Sequence, residues 1–371
     1  MSFAFIRKRN KNYIVYLEYL DKDSNKRKQK NMGSFSKKKD ATIRLTEVKN
    51  DLHKDDLSLP NNHTVRTFLE DFLSKHKHNI SITTYNCYRR ICNKYIFTIL
   101  GEYNLQELKP IYLQNYFDDL IGILSPQTLK LHFNILNLAF KKASRLKLIN
   151  ENPLEFVELP RAKKFRNDIY NTEDMIELLR VSRGTEMELY VLLATGLGLR
   201  ISEILGLTWD NIDFEDNLIT IDKISVRNER KVILKSPKTE SSERTISAPL
   251  EITNSLKKLK KKQLELKLQG KLKNKENLIF FDKNEQPIAQ DVVSKKFKKF
   301  LQQNNLHHIR FHDLRHSHVT LLINSKIPIK VISERVGHSN INTTLNIYAH
   351  TLKEMDNEAS DKISQQLFNL G

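Results

Sequence analysis

The chain has 371 residues, enough for two or three domains with cores of their own, and its 39% hydrophobic content excludes a disordered protein. With 62 Lys+Arg against 44 Asp+Glu, the net charge of +18 points either to a polyanionic partner or to a generally basic soluble protein. Cys87 and Cys92, the only cysteines, are spaced neither as a redox pair nor as half of a zinc site, which fits a reduced, cytoplasmic setting. Arg7, Lys8 and Arg9 lead into no long apolar run, so a signal peptide is excluded, and no stretch has the length of a membrane span.

In chain order, the first elements read as strands. Tyr13, Val15, Leu17 and Tyr19 alternate with Ile14, Tyr16 and Glu18 at the period of a sheet. Residues 21–25 form a polar turn, and a third run, 26–32, is too basic to be buried. Ser36 stands where it can cap a helix ending near Asp56. A small basic sheet backed by one helix can lay a strand face in a DNA groove, or simply present a solvated basic face. Residues 57–63, with Pro60, read as a linker.

Residues 64–150 read as a helical bundle. Val65, Phe68, Leu69, Phe72 and Leu73 form one apolar stripe, and Leu129, Phe133, Leu136, Phe140 and Ala143 form another. Ser125-Pro126 supplies a capping hydroxyl followed by proline at the first turn. A second linker, 159–167, carries four basic residues and can lie along a phosphate backbone or be merely solvated. From Thr172, with Glu173 and Asp174 marking a helix start, the pattern is helix, then strands, then helices. Met175, Ile176, Leu178 and Leu179 supply the first apolar face. Short strands are expected at 218–221, 232–234 and 244–246, followed by a lysine-rich amphipathic helix at 256–268 stopped by Gly270. Met355, Ala359, Ile363 and Leu367 give a final apolar face, for this domain or a neighbouring subunit.

The chemistry concentrates in the second half. Arg200 follows Thr195-Gly196-Leu197-Gly198-Leu199, and Arg315 closes His312-Asp313-Leu314-Arg315. Guanidiniums offer fixed, paired donors to phosphate oxygens and can offset charge in a pentacoordinate transition state. Glu203, one turn beyond Arg200, also fits an intrahelical ion pair. His312 faces the same point as Arg315 and can move a proton near neutral pH. His316 and His318 raise a zinc reading, which is set aside because the glutamate of a zinc-protease helix and any cysteine cluster are missing. Lys238, in a polar turn between strands, can act as a general acid toward a leaving oxygen, with Lys235 as its nearest competitor. His338 follows Gly337, and Tyr348 closes Thr343-Thr344-Leu345-Asn346-Ile347-Tyr348. A phenol, with a pKa of about 10, needs its proton withdrawn to attack phosphorus.

This ordered set resembles the tyrosine recombinase (phage integrase) family. The motifs cover roughly the second half of the chain. The helical segment before them resembles the family's core-site-binding domain, and the N-terminal sheet resembles the arm-binding domain of integrases from phages and conjugative elements. The resemblance implies an α+β, multidomain protein. Its parts are an arm-type DNA-binding domain at 1–60 with a three-stranded sheet plus helix, a helical core-site DNA-binding domain at 61–158, a basic linker at 159–168, and a mainly α catalytic domain with a small antiparallel sheet and a C-terminal tail helix at 169–371. It implies that Arg200 and Arg315 clamp the scissile phosphate, that His312 assists proton transfer and that His338 hydrogen-bonds the phosphate or leaving group. Lys238 protonates the departing 5′ oxygen, Tyr348 attacks to give a 3′-phosphotyrosyl link, and Glu203 supports the site.

The same resemblance implies integration and excision of a mobile element without ATP, cofactor or metal. The implied partner is double-stranded DNA at core and arm-type sites, bound by a homotetramer in the bacterial cytoplasm, with an accessory DNA-bending or excision protein and no membrane. Two other classes remain open: a non-catalytic DNA-binding regulator on the same scaffold, and a type IB topoisomerase-like relaxase.

Overall fold

The computed structural model describes residues 2–21, 26–53, 63–160, 169–228, 231–237 and 242–337, with Leu345 and Ser364. It divides into two compact units, Met1–Lys164 and Phe165–Gly371. No helix among the described residues is long and apolar enough to cross a membrane. Small antiparallel sheets and many helices make the protein α+β, as its sequence led us to expect.

In the first unit, β1 (Phe3–Arg9), β2 (Asn12–Asp21) and β3 (Lys26–Phe35) form an antiparallel sheet in that order. The two-residue period of β2 sends Val15, Leu17 and Tyr19 inward, to 9% exposure or less, toward Ala41 and Val48 of α1 (Lys38–His53). The opposite face carries Phe5, Arg7, Tyr16, Arg27, Gln29 and Asn31. Phe5 and Tyr16 stack with ring centres 5.8 Å apart, and the Arg7 guanidinium lies within 5.7 Å of both rings. Glu18 accepts from Gln29 Nε2 at 2.8 Å and from Arg27 Nη1 at 3.2 Å, so the two donors are held in place on the exposed face. The basic strand β3 is exposed over most of its length, as its lysines require.

The helices of the first unit begin where hydroxyl caps stand. Thr64 makes a capping box with Thr67 at the start of α2 (Val65–His76), and Ser81 caps α3 (Ile82–Ile91). After α3 come a π turn, Cys92–Ile96, and the short α4 (Phe97–Ile99). Pro110 opens α5 (Pro110–Asp118), and Ser125 Oγ accepts from Thr128 N at 3.2 Å to start α6 (Pro126–Arg145). The stripe of α2 and four members of the α6 stripe are buried in one core; Phe133 packs at its half-exposed edge. That core also encloses Tyr116 and His132, whose Oη and Nδ1 share a hydrogen bond at 2.7 Å. The expected linkers, 57–63 and 159–167, lie almost wholly outside the described residues.

In the second unit, α7 (Thr172–Ser182) is capped by Asn171, one residue before the expected marker, in a capping box with Asp174. Met175 and Leu178 are buried, but Ile176 is 60% exposed: it lies 100° off the buried stripe, and apolar character alone did not place it inside. Helices α8 (Glu188–Leu197) and α9 (Ile201–Ile204) follow. Strands β4 (Ile212–Asp213), β5 (Leu218–Ile221) and β8 (Arg244–Ser247) form one antiparallel sheet; β6 (Ile224–Asn228) and β7 (Lys231–Lys235) form a hairpin.

The lysine-rich helix α10 (Leu250–Leu268) starts six residues earlier than its apolar period suggested, directly after Pro249, and buries Ile252 and Thr253 in that extra turn. Helices α11 (Gln290–Gln303), α12 (Asp313–Asn324) and α13 (Ile329–Val336) complete the described part. Trp209 Nε1 donates to Gln263 Oε1 at 2.9 Å, and Gln263 Nε2 donates to Ile279 O at 3.0 Å, so these buried polar groups are paired. The expected apolar face at Met355, Ala359, Ile363 and Leu367 lies outside the described residues.

Candidate active site

The site is built at the end of α8. Gly198 ends that helix in the left-handed conformation, with φ +66°. A Cβ there would meet His318 Cδ2 at 2.5 Å and Val336 Cγ1 at 3.1 Å, so only glycine permits both the turn and the approach of α12 and α13. The turn delivers Arg200 to the N-cap of α9 and Glu203 to its first turn. Beside it, His318 Nδ1 donates to Thr195 O at 2.7 Å and joins α12 to α8.

Glu203, 1% exposed, is the centre of the cluster. Its Oε1 accepts from Arg200 Nη1 at 2.7 Å and from Arg244 Nη1 at 3.2 Å; its Oε2 accepts from the Arg200 backbone N–H at 2.9 Å and from Arg244 Nη2 at 3.1 Å. Arg315 Nη1 stands 3.9 Å from Oε2. Burial alone would raise the carboxyl's pKa, but Arg244, Arg200 and Arg315 together hold it below the ordinary carboxylate value, so Glu203 is ionised at neutral pH. Three guanidiniums against one carboxylate leave the cluster positive.

The same guanidiniums take the free carbonyls at the C-terminal end of α13. Arg244 Nε donates to Arg335 O at 2.6 Å, Arg315 Nη2 donates to Val336 O, and Arg200 Nη2 donates to Gly337 O at 3.1 Å. These are carbonyls without intrahelical partners at the negative end of the helix dipole, and cations are their natural partners. Arg315 Nη1 also donates to Gly198 O at 2.8 Å. Burial and the neighbouring charges of Arg200 and Arg244 lower the Arg315 pKa while Glu203 opposes them; the guanidinium stays protonated at neutral pH.

His312 stands at the N-cap of α12, with its ring edge-on to His316 at 5.1 Å between centres. Partial burial of the ring, then the charges of His316, Arg315 and Arg200, lower its pKa from the ordinary imidazole value against the opposing charge of Asp313, so it is neutral at pH 7. Asp313, buried beneath it, is gripped by Arg310 through Nε at 2.9 Å and Nη2 at 2.7 Å. Ser317 Oγ accepts from Tyr170 N at 3.0 Å and fixes the middle of α12.

The structure thus brings together Arg200, Glu203, His312 and Arg315. They differ in access: the Arg200 side chain is 31% exposed and His312 is open to solvent, whereas Arg315 is 1% exposed beneath them. Lys238, His338 and Tyr348 lie outside the described residues. In sequence, Lys238 falls between β7 and β8, and His338 directly follows Gly337, whose carbonyl binds Arg200. Lys235, the competing lysine, is the exposed last residue of β7. His318 is occupied by the Thr195 carbonyl, and no cluster of three or more potential metal ligands is found among the described residues. Arg244 was missed from the sequence. Its signal was the strand period: Arg244 lies two residues from the buried Ile246 and so points to the same inner face.

Three family models match the chain: the phage integrase family over residues 169–355, the phage integrase N-terminal SAM-like domain over 64–121, and the Arm DNA-binding domain over 5–52. The chain belongs to the phage integrase family. It is a tyrosine-type site-specific recombinase. Among its relatives, a tyrosine recombinase XerC-like protein of Caldanaerobacter subterraneus subsp. tengcongensis is 29% identical over 69% of this chain and 71% of its own length. The ICEBs1 integrase of Bacillus subtilis strain 168 is 26% identical over 76% of this chain and 78% of its own. The fold is shared with a Tn1549 transposon integrase in complex with transposon right end DNA, with a TM-score of 0.68 and 22% identity over 82% of this chain and 99% of that one. It is also shared with a lambda integrase tetramer bound to a Holliday junction, with a TM-score of 0.57 and 16% identity over 91% of this chain and 95% of that one.

Proposed function

We propose that this recombinase integrates and excises a mobile element by cutting and rejoining DNA through a 3′-phosphotyrosyl intermediate. The observation that carries the reading is the positive cluster of Arg200, Arg244 and Arg315 around one ionised Glu203, with neutral His312 at its rim. A phosphodiester is the anion such a cluster suits. Arg200, the more accessible of the two phosphate-clamping guanidiniums at 31% exposure, meets the scissile phosphate first. Arg315 supports it from below and reaches a phosphate oxygen when one of its carbonyl bonds is exchanged. Together they offset the charge of the pentacoordinate transition state.

Tyr348 Oη attacks phosphorus as its proton passes to a base, the role we give His312. The P–O5′ bond breaks, and the leaving 5′ oxygen takes a proton from Lys238. His338 hydrogen-bonds the phosphate or the leaving group. Rejoining is the reverse, with a 5′ hydroxyl as nucleophile, so bond energy is conserved and no ATP or metal enters the reaction.

The remaining parts supply DNA binding. Residues 1–60 form the arm-type domain, whose exposed sheet face presents Arg7, Arg27, Gln29 and Asn31 to a groove, with Glu18 fixing two of these donors. Residues 61–158 form the core-site domain; Lys141, Lys142 and Arg145 lie along a partly apolar groove there, beside Lys75 paired to Asp71 at 2.7 Å, and are the cations we assign to a phosphate backbone. The basic linker 159–168 runs between that domain and the catalytic domain, 169–371. Likeness to the lambda integrase tetramer on a Holliday junction is the ground for assigning four protomers on DNA. A cytoplasmic setting and an accessory DNA-bending or excision protein belong to the same proposal.

The test is a nicked duplex, taken from the end of the element that carries the gene, which traps the covalent adduct. Wild type should form the adduct, and Tyr348→Phe should bind the same DNA without forming it. An undiminished adduct in that variant removes Tyr348 from the reaction.

A further inference from the structure

Arg244 belongs to neither end of the chain's phosphate-facing set, yet its side chain is only 7% exposed and every one of its guanidinium nitrogens is engaged. Nη1 and Nη2 straddle the two oxygens of Glu203, Nη1 also donates to Ser242 O at 3.1 Å, and Nε donates to Arg335 O at 2.6 Å. One planar fork therefore ties three elements together: β8, from which it comes, the first turn of α9, and the last turn of α13. We propose that Arg244 is a positioning residue for strand cleavage: by bridging Glu203 to the C-terminal end of α13, it holds Arg200 and Arg315 in register with the chain that leads from Gly337 into His338. It touches no reacting atom and acts through Glu203 and the α13 carbonyls.

The geometry explains why this position calls for a guanidinium. An ammonium cannot bind both carboxylate oxygens in one plane and a backbone carbonyl on a third edge. Removing the fork also changes the electrostatics of a buried acid. Glu203 faces Arg200 on its own segment, Arg244 on β8 and Arg315 on α12, and Arg244 is foremost among the charges that hold its pKa down against burial. Arg335 of α13 lies near Arg244 as a like charge. Without Arg244, burial weighs more heavily and the Glu203 carboxyl takes up a proton closer to neutrality. The charges acting on His312 come from His316, Arg315, Arg200 and Asp313, so removing Arg244 leaves that group's titration in place.

The inference rests on the recombinase chemistry proposed above, and the experiment separates the two. Adduct formation on the nicked element-end duplex is followed from pH 5 to 8 for wild type, Arg244→Gln, Arg244→Lys and Arg244→Gln/Glu203→Gln. A wild-type protein that makes no adduct at any pH defeats the chemistry itself. Given wild-type cleavage, Arg244→Gln should lower the rate by about 100-fold at pH 7.5, as for a small misplacement of reacting groups. It should also show a new acid limb, with the rate falling about tenfold per pH unit. The double variant should remain slow but lose that limb. Arg244→Lys, which keeps the charge and loses the fork, should be slow without the limb. A profile for Arg244→Gln parallel to that of wild type, or a limb that persists in the double variant, overturns the proposal. Where Arg244→Gln does not fold, Arg244→Lys decides: a wild-type rate in it overturns the proposal, and a slow, unbent profile supports it.

Discussion

The helical bundle of the first unit and the core of the second bury polar groups equally deeply and solve the resulting electrostatic problem in opposite ways. In the bundle, Tyr116 and His132 are 1% and 0% exposed. Burial raises the phenol's pKa and lowers the imidazole's to about 4, so the pair is neutral and held by one hydrogen bond. In the second unit, Glu203 and Arg315 are each 1% exposed, yet both stay charged because each has opposite charge beside it. An interior that only has to pack loses its charges. One that keeps a carboxylate among three guanidiniums bears a desolvation cost that stability alone does not call for, and that cost supports the proposal that the cluster is the active site.

The sharpest way to break that contrast is to remove the carboxylate. Glu203→Ala leaves Arg200, Arg244 and Arg315 packed together without a counter-charge, and a loss of about 3–5 kcal/mol in folding stability is expected for breaking a buried pair from one side. Trp209, the chain's one tryptophan, is buried in the second unit, so its fluorescence during urea unfolding reports on that unit alone. A loss below about 1 kcal/mol would show that the α13 carbonyls by themselves balance the guanidiniums.

A second, smaller effect should be common to both interiors. His132 in the bundle and His318 beneath the site are both pushed to about 4 by burial. In the folded protein they are neutral, while an unfolded chain takes up protons below its ordinary imidazole pKa of about 6.5. Stability is therefore full above that value and falls as pH drops toward 4, by about 2 kcal/mol per histidine at pH 5. Imidazole NMR signals should show both rings unprotonated down to about pH 5. A ring that titrates near pH 6.5 would mean that its pocket admits water, and it would remove that histidine from the comparison.

How much of this was legible in the sequence follows the same division. The bundle was readable because a helix stripe is local: Val65, Phe68, Leu69, Phe72 and Leu73 announce their common face by spacing alone, and Ser125-Pro126 announces where α6 begins. Strands β5, β7 and β8 were readable from short apolar alternation, while β6, with Ile224 and Val226 between polar neighbours, was not separated from its turn. In the candidate site, Arg200, Glu203, His312 and Arg315 were singled out through the order of their motifs, and the structure places them close together. The carbonyls of Arg335, Val336 and Gly337 were not visible, because a backbone acceptor carries no residue-type signal. Nor was the depth of Arg315, which depends on α8 and α13 closing over it rather than on its own neighbours in sequence.

The smallest expected effect sharpens the comparison by being the same on both sides. Ser125 caps α6 in the bundle through its hydroxyl, and Asn171 caps α7 in the second unit, where its Oδ1 accepts from Asp174 N at 2.8 Å. Each bond satisfies a helix N–H that has no partner inside its helix, and neither cap touches the buried charges. Ser125→Ala and Asn171→Ala should therefore each cost about 1 kcal/mol, by thermal or urea unfolding. Equal costs would place the difference between the two units in the Glu203 cluster and not in how well either unit forms helices. A cost of several kcal/mol for Asn171→Ala alone would point the other way: the second unit would then be strained throughout, and the buried guanidiniums would be one symptom of that strain and not its cause.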